Sequence, residues 1–246
     1  MSDIFERCTI DSGMKENKSV QRSQLLPVIL TLAGILMGLL LSLLAVWADY
    51  ESTSYGFLRR AQAPYRGLTC PVFIGKHESR VVSLKISNPT DRTLSPGVWT
   101  QISTSSDVDS KIDHIQLEPK EQITLQRTVG PENVDLGMFI FVDAFVYSVY
   151  PLPDRETTCG ILVLPIANAA QLGMSGSALS ILFMAAGTYL LYKNELPAGR
   201  SLSTWFMVIA TVLAMALGYM GWWFPALILI IVSVLTLMIT AGSSFT

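Results

Sequence analysis

Three long stretches of this sequence carry no charged side chain, and segments of ordinary polarity separate them. The stretches cover residues 24–48, 157–192 and 201–246. An α-helix needs about 20 apolar residues to cross ~30 Å of hydrocarbon. The last stretch is long enough for two crossings. The pattern therefore predicts a membrane protein with four transmembrane α-helices.

The bounds of these spans follow from the residues at their ends. We expect spans over residues 25–47, 165–192, 203–221 and 224–241. Pro165 suits the start of the second span, and Gly221 and Pro225 permit a turn between the last two. A cleaved signal peptide is the alternative for the first span. Its apolar core is longer than the roughly 7–15 residues of a signal sequence, which favours an uncleaved anchor.

Basic residues in the short polar segments predict the orientation. Four lie in the tail of residues 1–24 and two in the loop of residues 193–202, namely Arg7, Lys15, Lys18, Arg22, Lys193 and Arg200. The turn near Trp222 has none. Cytoplasmic loops carry the excess of lysine and arginine. We therefore expect a cell-membrane protein with both termini cytoplasmic and residues 48–164 extracytoplasmic.

The polar block between the first two spans alternates apolar and polar residues, as Val82, Leu84 and Ile86 illustrate. Strand-like runs separated by turn signals cover residues 82–86, 98–103, 112–117, 123–129, 138–150 and 158–164. Such a series is typical of an all-β, immunoglobulin-like antiparallel sandwich, here predicted over residues 70–164. Residues 48–69 mix aromatic residues with serine, threonine and arginine and show no such alternation. They form a juxtamembrane connector, either lying on the membrane surface or acting as a flexible linker.

The cysteines and the small residues suggest how the chain is held together. Cys70 and Cys159 bracket the sandwich, so outside the cytoplasm they are a candidate disulfide. Small residues let membrane helices approach closely. The candidate packing residues are Gly34 and Gly38 in the first span and Gly173, Gly176, Ser177 and Ser180 in the second. Whether that interface is internal or formed with another subunit stays open.

Residues 138–150 predict a strand with two different faces. Ile140, Val142, Ala144 and Val146 make one face, a plausible core, whereas Phe139, Phe141, Asp143, Phe145 and Tyr147 make the other. A buried carboxylate is costly unless it is paired, so we expect the second face to point outward as an exposed candidate partner face. The alternative is a strand buried on both faces.

Candidate catalytic and metal-binding chemistry is sparse. The two histidines, His77 and His114, lack the further ligands of a copper site. Asp107, Asp109 and Asp113 suggest either a calcium loop or a solvated loop, and the missing EF-hand glycine and glutamate favour the solvated loop. The spans hold no ionisable residue for a proton path or histidine for a haem. We expect no enzymatic activity, no cofactor and no metal.

The predicted fold and the expected binding partners together indicate a function. A net charge of −2 gives no electrostatic footprint for nucleic acid. The expected partners are the lipid bilayer and other membrane protein subunits. The sequence favours a non-catalytic integral membrane subunit or scaffold, whose sandwich docks a protein. The alternatives are a ligand-sensing membrane protein and an accessory component of a transporter or membrane enzyme whose chemistry lies on another subunit.

Overall fold

A computed structural model describes residues 3–57, 63–147, 152–193 and 198–242. Side chains are described within residues 25–57, 65–147, 152–193 and 202–240. The described helices are α1 (Asp3–Ser54), α2 (Ala169–Lys193), α3 (Ala198–Tyr219) and α4 (Trp223–Gly242). Four segments of these helices are long and apolar enough to cross a membrane: Leu25–Ser54, Ala169–Lys193, Leu202–Tyr219 and Trp223–Thr240. The predicted set of four long apolar helices is confirmed.

Helix α1 continues beyond the predicted end of the first span. The prediction placed a connector at residues 48–69, but its first seven residues extend the helix to Ser54. Asp49 and Glu51 mark the end of the charge-free stretch, yet neither breaks a helix. The first glycine or proline after that point is Gly56. The rest of the connector includes short strands, while residues 58–62 lie outside the described part, as do residues 194–197 of the predicted cytoplasmic loop.

The polar block is all-β, with two sheets. Its strands are β1 (Ala63–Pro64), β2 (Leu68–Thr69), β3 (Phe73–Gly75), β4 (Arg80–Ser87), β5 (Gly97–Ser103), β6 (Val108–His114), β7 (Gln122–Val129), β8 (Phe139–Tyr147) and β9 (Arg155–Leu164). The larger sheet has the order β1-β9-β8-β5-β6, and β3 also pairs with β9. The smaller sheet has the order β2-β4-β7. Pairing is antiparallel except that β1 and β3 run parallel to β9.

The two sheets bury one core between them. Val82 and Val129 of the smaller sheet pack with Ile102, Ile140 and Ile161 of the larger sheet. In β4, Val82, Leu84 and Ile86 are buried, and the residues between them are partly or fully exposed. This is expected because successive side chains of a strand point to opposite faces of the sheet. The predicted disulfide is confirmed: Cys70 is bonded to Cys159 across 89 residues of sequence, beside this core.

Two of the three acidic residues, Asp109 and Asp113, lie on an edge strand, whereas Asp107 lies in the exposed loop before it, as expected. The strand predicted at residues 112–117 is displaced to Val108–His114, so Asp109 and Asp113 belong to β6. Arg127 of β7 donates to the carboxylate of Asp113 and thereby ties the two sheets together at this side. Within the described residues, no group of three or more histidine, cysteine or acidic side chains is placed to hold a metal ion.

Candidate functional site: the junction between sandwich and helices

The last turns of α1 pack across β8 and β9 and form a third layer over the larger sheet. The Trp47 ring lies 5.2 Å from the ring of Phe139, and the Tyr55 ring lies 4.4 Å from that of Phe141. Ala48 and Phe57 are buried in the same cluster. The sandwich is therefore covered by the helix that precedes it in sequence.

The expected exposure of the candidate partner face is wrong, and the α1 layer covers two of its residues, Phe139 and Phe141. Phe139, Phe141 and Phe145 are buried, and Asp143 is only 1% exposed. Tyr147, at the end of the strand, keeps 36% of its surface exposed. The burial cost of a carboxylate made an outward stripe the better expectation, but β8 is buried on both faces. Residues 148–150 of the predicted strand lie outside the described part.

Gly160 is the point at which helix and sheet come closest. A Cβ atom at this position would lie 1.8 Å from the backbone oxygen of Ala48, so only glycine fits. The Gly160 amide donates a hydrogen bond to Asp49 Oδ1 at 3.2 Å. Asp49 is buried at the junction, and its other carboxylate oxygen faces Gly221 in the turn between α3 and α4. The backbone contact and the hydrogen bond together fix the end of α1 on β9.

Tyr55 anchors the chain where α1 ends. Its hydroxyl donates to Asp135 Oδ2 at 2.5 Å, which ties the helix end to the loop before β8. Burial is the main cause that raises the pKa of Tyr55 to about 12. The hydrogen bond to Asp135 and the negative charges of Asp135 and Asp107 raise the pKa further. The phenol stays protonated, and thus remains a donor, throughout the physiological range.

The other helices meet the sandwich at the same end. The Phe73 ring of β3 lies 6.4 Å from the Tyr219 ring of α3, and a Cβ on Gly173 of α2 would collide with Phe73. The Arg66 guanidinium stacks over the Trp222 ring in the turn between α3 and α4, 4.2 Å from the ring centroid. The end of α1, the start of α2 and the α3–α4 turn therefore lie on one side of the helix layer, facing the sandwich.

The predicted packing residues of the first two spans face one another inside this chain. A Cβ on Gly34 would lie 2.8 Å from the backbone nitrogen of Met184 and from the backbone oxygen of Ser180. The Ser180 hydroxyl donates to the Gly34 oxygen at 2.7 Å, and a Cβ on Gly38 would touch Ser180 and Thr211. These contacts answer the open question for this face of the helices, because the interface that they form is intramolecular.

The remaining predicted packing residues lie toward the sandwich end of α2. Gly176 faces the side chains of Met37 and Leu41 of α1. The Ser177 hydroxyl donates to the Gly173 oxygen at 2.8 Å and lies 2.7 Å from the Tyr219 hydroxyl of α3. Ser177 thus joins α2 to α3, whereas Gly34, Gly38 and Gly176 join α1 to α2.

Sequence reasoning missed the residues of the junction itself. Asp49 and Tyr55 fell in the connector, where no periodicity singled them out. Gly160 carried a usable signal, because a glycine inside a strand often marks the close approach of another backbone. Gly187 of α2 meets Thr31 of α1 and extends the small-residue interface of the two helices.

A second feature lies at the far end of the sandwich, where β8 ends and β9 begins. An open cleft there is bordered by Tyr65, Tyr147 and Arg155, and apolar side chains line most of it. The Arg155 guanidinium lies 5.8 Å from the Tyr65 ring centroid. Burial raises the pKa of Tyr65, and the charge of Arg155 opposes that rise. The cleft combines an apolar floor with one cation, a surface suited to a small amphipathic group.

No protein-family model matches the chain, and no curated protein matches it. Solved structures with partial similarity include a CARDB domain from Pyrococcus furiosus, at 17% identity and a TM-score of 0.32, covering 39% of this chain and 87% of that one. A β-glucosidase from Listeria innocua is similar at 14% identity and a TM-score of 0.31, over 41% of this chain. A β-glucosidase from Erythrobacter marinus is similar at 21% identity and a TM-score of 0.29, over 38%.

The similar stretch spans only 16% of the Listeria enzyme and 14% of the Erythrobacter enzyme. At TM-scores near 0.3 the likenesses assign neither a family nor an activity. The function has to be inferred from the chain's own residues.

Proposed function

We propose that this protein is a non-catalytic integral membrane subunit or scaffold, whose sandwich docks a protein partner and whose helices pack into a larger membrane assembly. In this proposal the four helices cross the cell membrane, both termini are cytoplasmic and residues 48–164 are extracytoplasmic. The disulfide between Cys70 and Cys159 supports an oxidising compartment for the sandwich.

The observation that carries the proposal is the backbone contact between Ala48 and Gly160. It holds the end of α1, which is helical up to Ser54, directly against β9 of the sandwich. A receptor tethered loosely to a membrane anchor needs no such contact. A scaffold that holds a partner at a fixed height and angle does need it, because rigid placement reduces the entropy lost on binding.

The sandwich offers a docking edge at β6, the last strand of the larger sheet. Within the described part of the chain, no strand pairs with β6 on the side away from β5. Ile112 on this strand is 54% exposed, so its side chain is accessible to a partner that adds to the edge. An extended segment of a partner subunit would add to such an edge through main-chain hydrogen bonds. The charges of Asp109 and Lys111 on the same strand disfavour uncontrolled self-pairing.

The experiment uses a photo-crosslinking amino acid at Ile112 in cells, followed by purification in mild detergent. The matched control carries the same group at Val81, which is 50% exposed on β4 of the smaller sheet. We expect a discrete adduct with another membrane protein from position 112 and none from position 81. An Ile112→Asp substitution should abolish co-purification of that protein while leaving the melting temperature unchanged.

Equal, diffuse labelling at both positions, or a protein that purifies alone from native membranes, would overturn the proposal. If the captured subunit carries a catalytic or transport site, the protein is the accessory component of that enzyme or transporter. The docking role is then retained, and the chemistry is assigned to the partner.

A ligand-sensing role is the second candidate, and the cleft bordered by Tyr65, Tyr147 and Arg155 is the observation that favours it. An amphipathic anion would place its charge at Arg155 and its apolar part on the cleft floor. The two candidates separate in one purification. A lone monomer that binds a small molecule, and loses that binding on Arg155→Gln, would support sensing in place of docking.

A further inference from the structure

The loop before β8 ends in an exposed apolar tip, which we define as residues 136–138. Asp135 and Phe139 close it by exchanging two backbone hydrogen bonds, of 2.7 and 3.0 Å. Between them, Leu136 is 64% exposed and Met138 is 40% exposed. The tip therefore presents two large apolar side chains to its surroundings.

The backbone of this tip is strained at Leu136. Its φ is +49°, in the left-handed region, and that of Gly137 is +77°. Glycine adopts such angles without penalty, but a residue with a Cβ pays about 1–2 kcal/mol. The Leu136 side chain is 64% exposed, so its packing within the described part of the chain offsets little of this cost. An apolar environment outside the chain would compensate it.

The position of the tip identifies that environment. The Met138 oxygen accepts a hydrogen bond from Val163 N at 2.8 Å, six residues before α2 begins at Ala169. The adjacent Phe139 packs against Trp47, which lies inside the candidate span Leu25–Ser54. The tip thus lies beside the ends of two candidate spans, at the level where they emerge from the helix layer.

Exposed aromatic side chains surround the same level. Tyr50 near the end of α1 packs its ring 5.6 Å from that of Trp223, at the start of α4. Trp222 and Phe224 beside it are also exposed. Tryptophan and tyrosine collect at the headgroup level of membranes, because their rings combine an apolar body with a polar group. The apolar tip continues this belt on the sandwich.

We propose that the apolar tip inserts Leu136 and Met138 into the headgroup–acyl boundary of the lipid leaflet on the sandwich side. This inference rests on the membrane placement in the proposed function and adds a lipid-binding element of the sandwich itself. Glu132 and Asp135 beside the tip repel anionic headgroups, so insertion depends on apolar burial and not on lipid charge. The tip would hold the sandwich against the membrane at a second point, besides α1.

The test places a fluorescent NBD label on Leu136→Cys in a Cys8→Ser background, since the other two cysteines are bonded to each other. The purified protein is reconstituted into phosphatidylcholine vesicles that contain lipids with a nitroxide near the top of the acyl chain. Ile112→Cys is the aqueous control, and Phe224→Cys is the membrane control. We expect blue-shifted emission at position 136 and quenching comparable with position 224, several-fold above position 112.

A label can itself favour insertion, so an unlabelled measurement accompanies it. The thiol of Leu136→Cys should react several-fold more slowly with a charged, membrane-impermeant maleimide than the thiol of Ile112→Cys. The rates should become similar after the protein is denatured. If position 136 behaves like position 112 while position 224 is quenched, the tip faces water and the inference fails alone. If position 224 is also unquenched, the membrane placement fails and the inference fails with it.

Discussion

At the scale of single residues, Gly160 and Tyr55 determine how helix and sheet meet. Gly160 has no side chain and so lets the two backbones approach, whereas Tyr55 donates a hydrogen bond to Asp135. Gly160 lies on β9 under the last turns of α1, and Tyr55 directly follows the end of that helix. Their contributions differ physically, so they are separable by substitution.

Gly160→Ala should destabilise the junction because its Cβ meets backbone and not a movable side chain. The nearest atoms would be the Ala48 oxygen at 1.8 Å and the Ala48 carbonyl carbon at 2.3 Å. Overpacking of this kind costs about 1–3 kcal/mol or more. Gly56→Ala is the matched control, since no atom of the described residues lies within 4 Å of its Cβ position. Thermal unfolding in detergent should show a clear loss for the first variant only, and equal melting temperatures would contradict the contact.

Tyr55→Phe tests the hydrogen bond to Asp135 and its pH dependence. Losing this bond should cost about 1 kcal/mol at neutral pH. The pKa of Tyr55 rises from the usual 10.0 to about 12 on folding. Between these values the unfolded chain releases the proton and the folded protein retains it, so the stability due to Tyr55 is complete below pH 10 and falls as pH rises. The stability difference between wild type and variant should shrink over that window, and a constant difference would argue against the bond.

At the scale of elements, the α1–α2 pair and the disulfide stabilise the molecule by different means. The helix pair relies on close backbone approach, with Gly34, Gly38 and Ser180 at its centre. The disulfide restricts the chain between Cys70 and Cys159 when it is unfolded. The first acts within the helix layer and the second within the sandwich.

Gly34→Ala and Gly176→Ala form a matched pair on the α1–α2 interface. The added methyl at position 34 meets backbone atoms of Ser180 and Met184 at 2.8 Å. At position 176 it meets only the tips of Met37 and Leu41, at 3.3 and 3.4 Å, which can move. We expect Gly34→Ala to cost about 1–3 kcal/mol and Gly176→Ala to be neutral or better, because alanine also favours the helix. The reverse order of melting temperatures would rule out this packing.

The Cys70→Ser, Cys159→Ser double variant should lose about 2–5 kcal/mol of stability. Its bond closes a loop across 89 residues, and the chain-entropy model gives long loops the larger contribution. Peptide mapping without reductant should recover the two cysteines in one linked pair from the wild-type protein. Recovery of two unlinked thiols from an oxidising compartment would exclude the bond in the cell.

At the scale of the whole molecule, the end of α1, the start of α2 and the α3–α4 turn lie beside the sandwich. In the proposed topology, Thr90→Cys and Trp222→Cys should therefore react with an impermeant reagent added outside intact cells. Pro197→Cys, between α2 and α3, should react only after the membrane is opened. Labelling at position 197 in intact cells would contradict the proposed topology, in which four spans place both termini in the cytoplasm.

The sequence predicted the four long helices and most of the longer strands, but neither the extension of α1 nor the layer that it forms on the larger sheet. Charge-free stretches revealed the four long helices, and alternation at Val82, Leu84 and Ile86 revealed β4. Alternation cannot reveal a third layer, so the burial of Phe139 and Phe141 under α1 was unpredictable from β8 alone. Likewise, Asp49 marks the end of the charge-free stretch, but a charged residue does not end a helix. Helix α1 therefore continues to Ser54, beyond the predicted span. The junction arises from contacts between segments more than a hundred residues apart, such as Asp49 and Gly160.

The parallel pairing of β9 with β1 and β3 has a consequence for the timing of synthesis. Phe73 of β3 pairs with Leu162 of β9, so β3 cannot join the larger sheet until β9 has been synthesised. At roughly 5–20 residues per second, that wait lasts on the order of 5–20 s. Strand β9 ends at Leu164 and α2 begins at Ala169, so the sheet cannot close until synthesis has nearly reached the second candidate span. The unfinished larger sheet is therefore most open to misassembly just before β9 is complete.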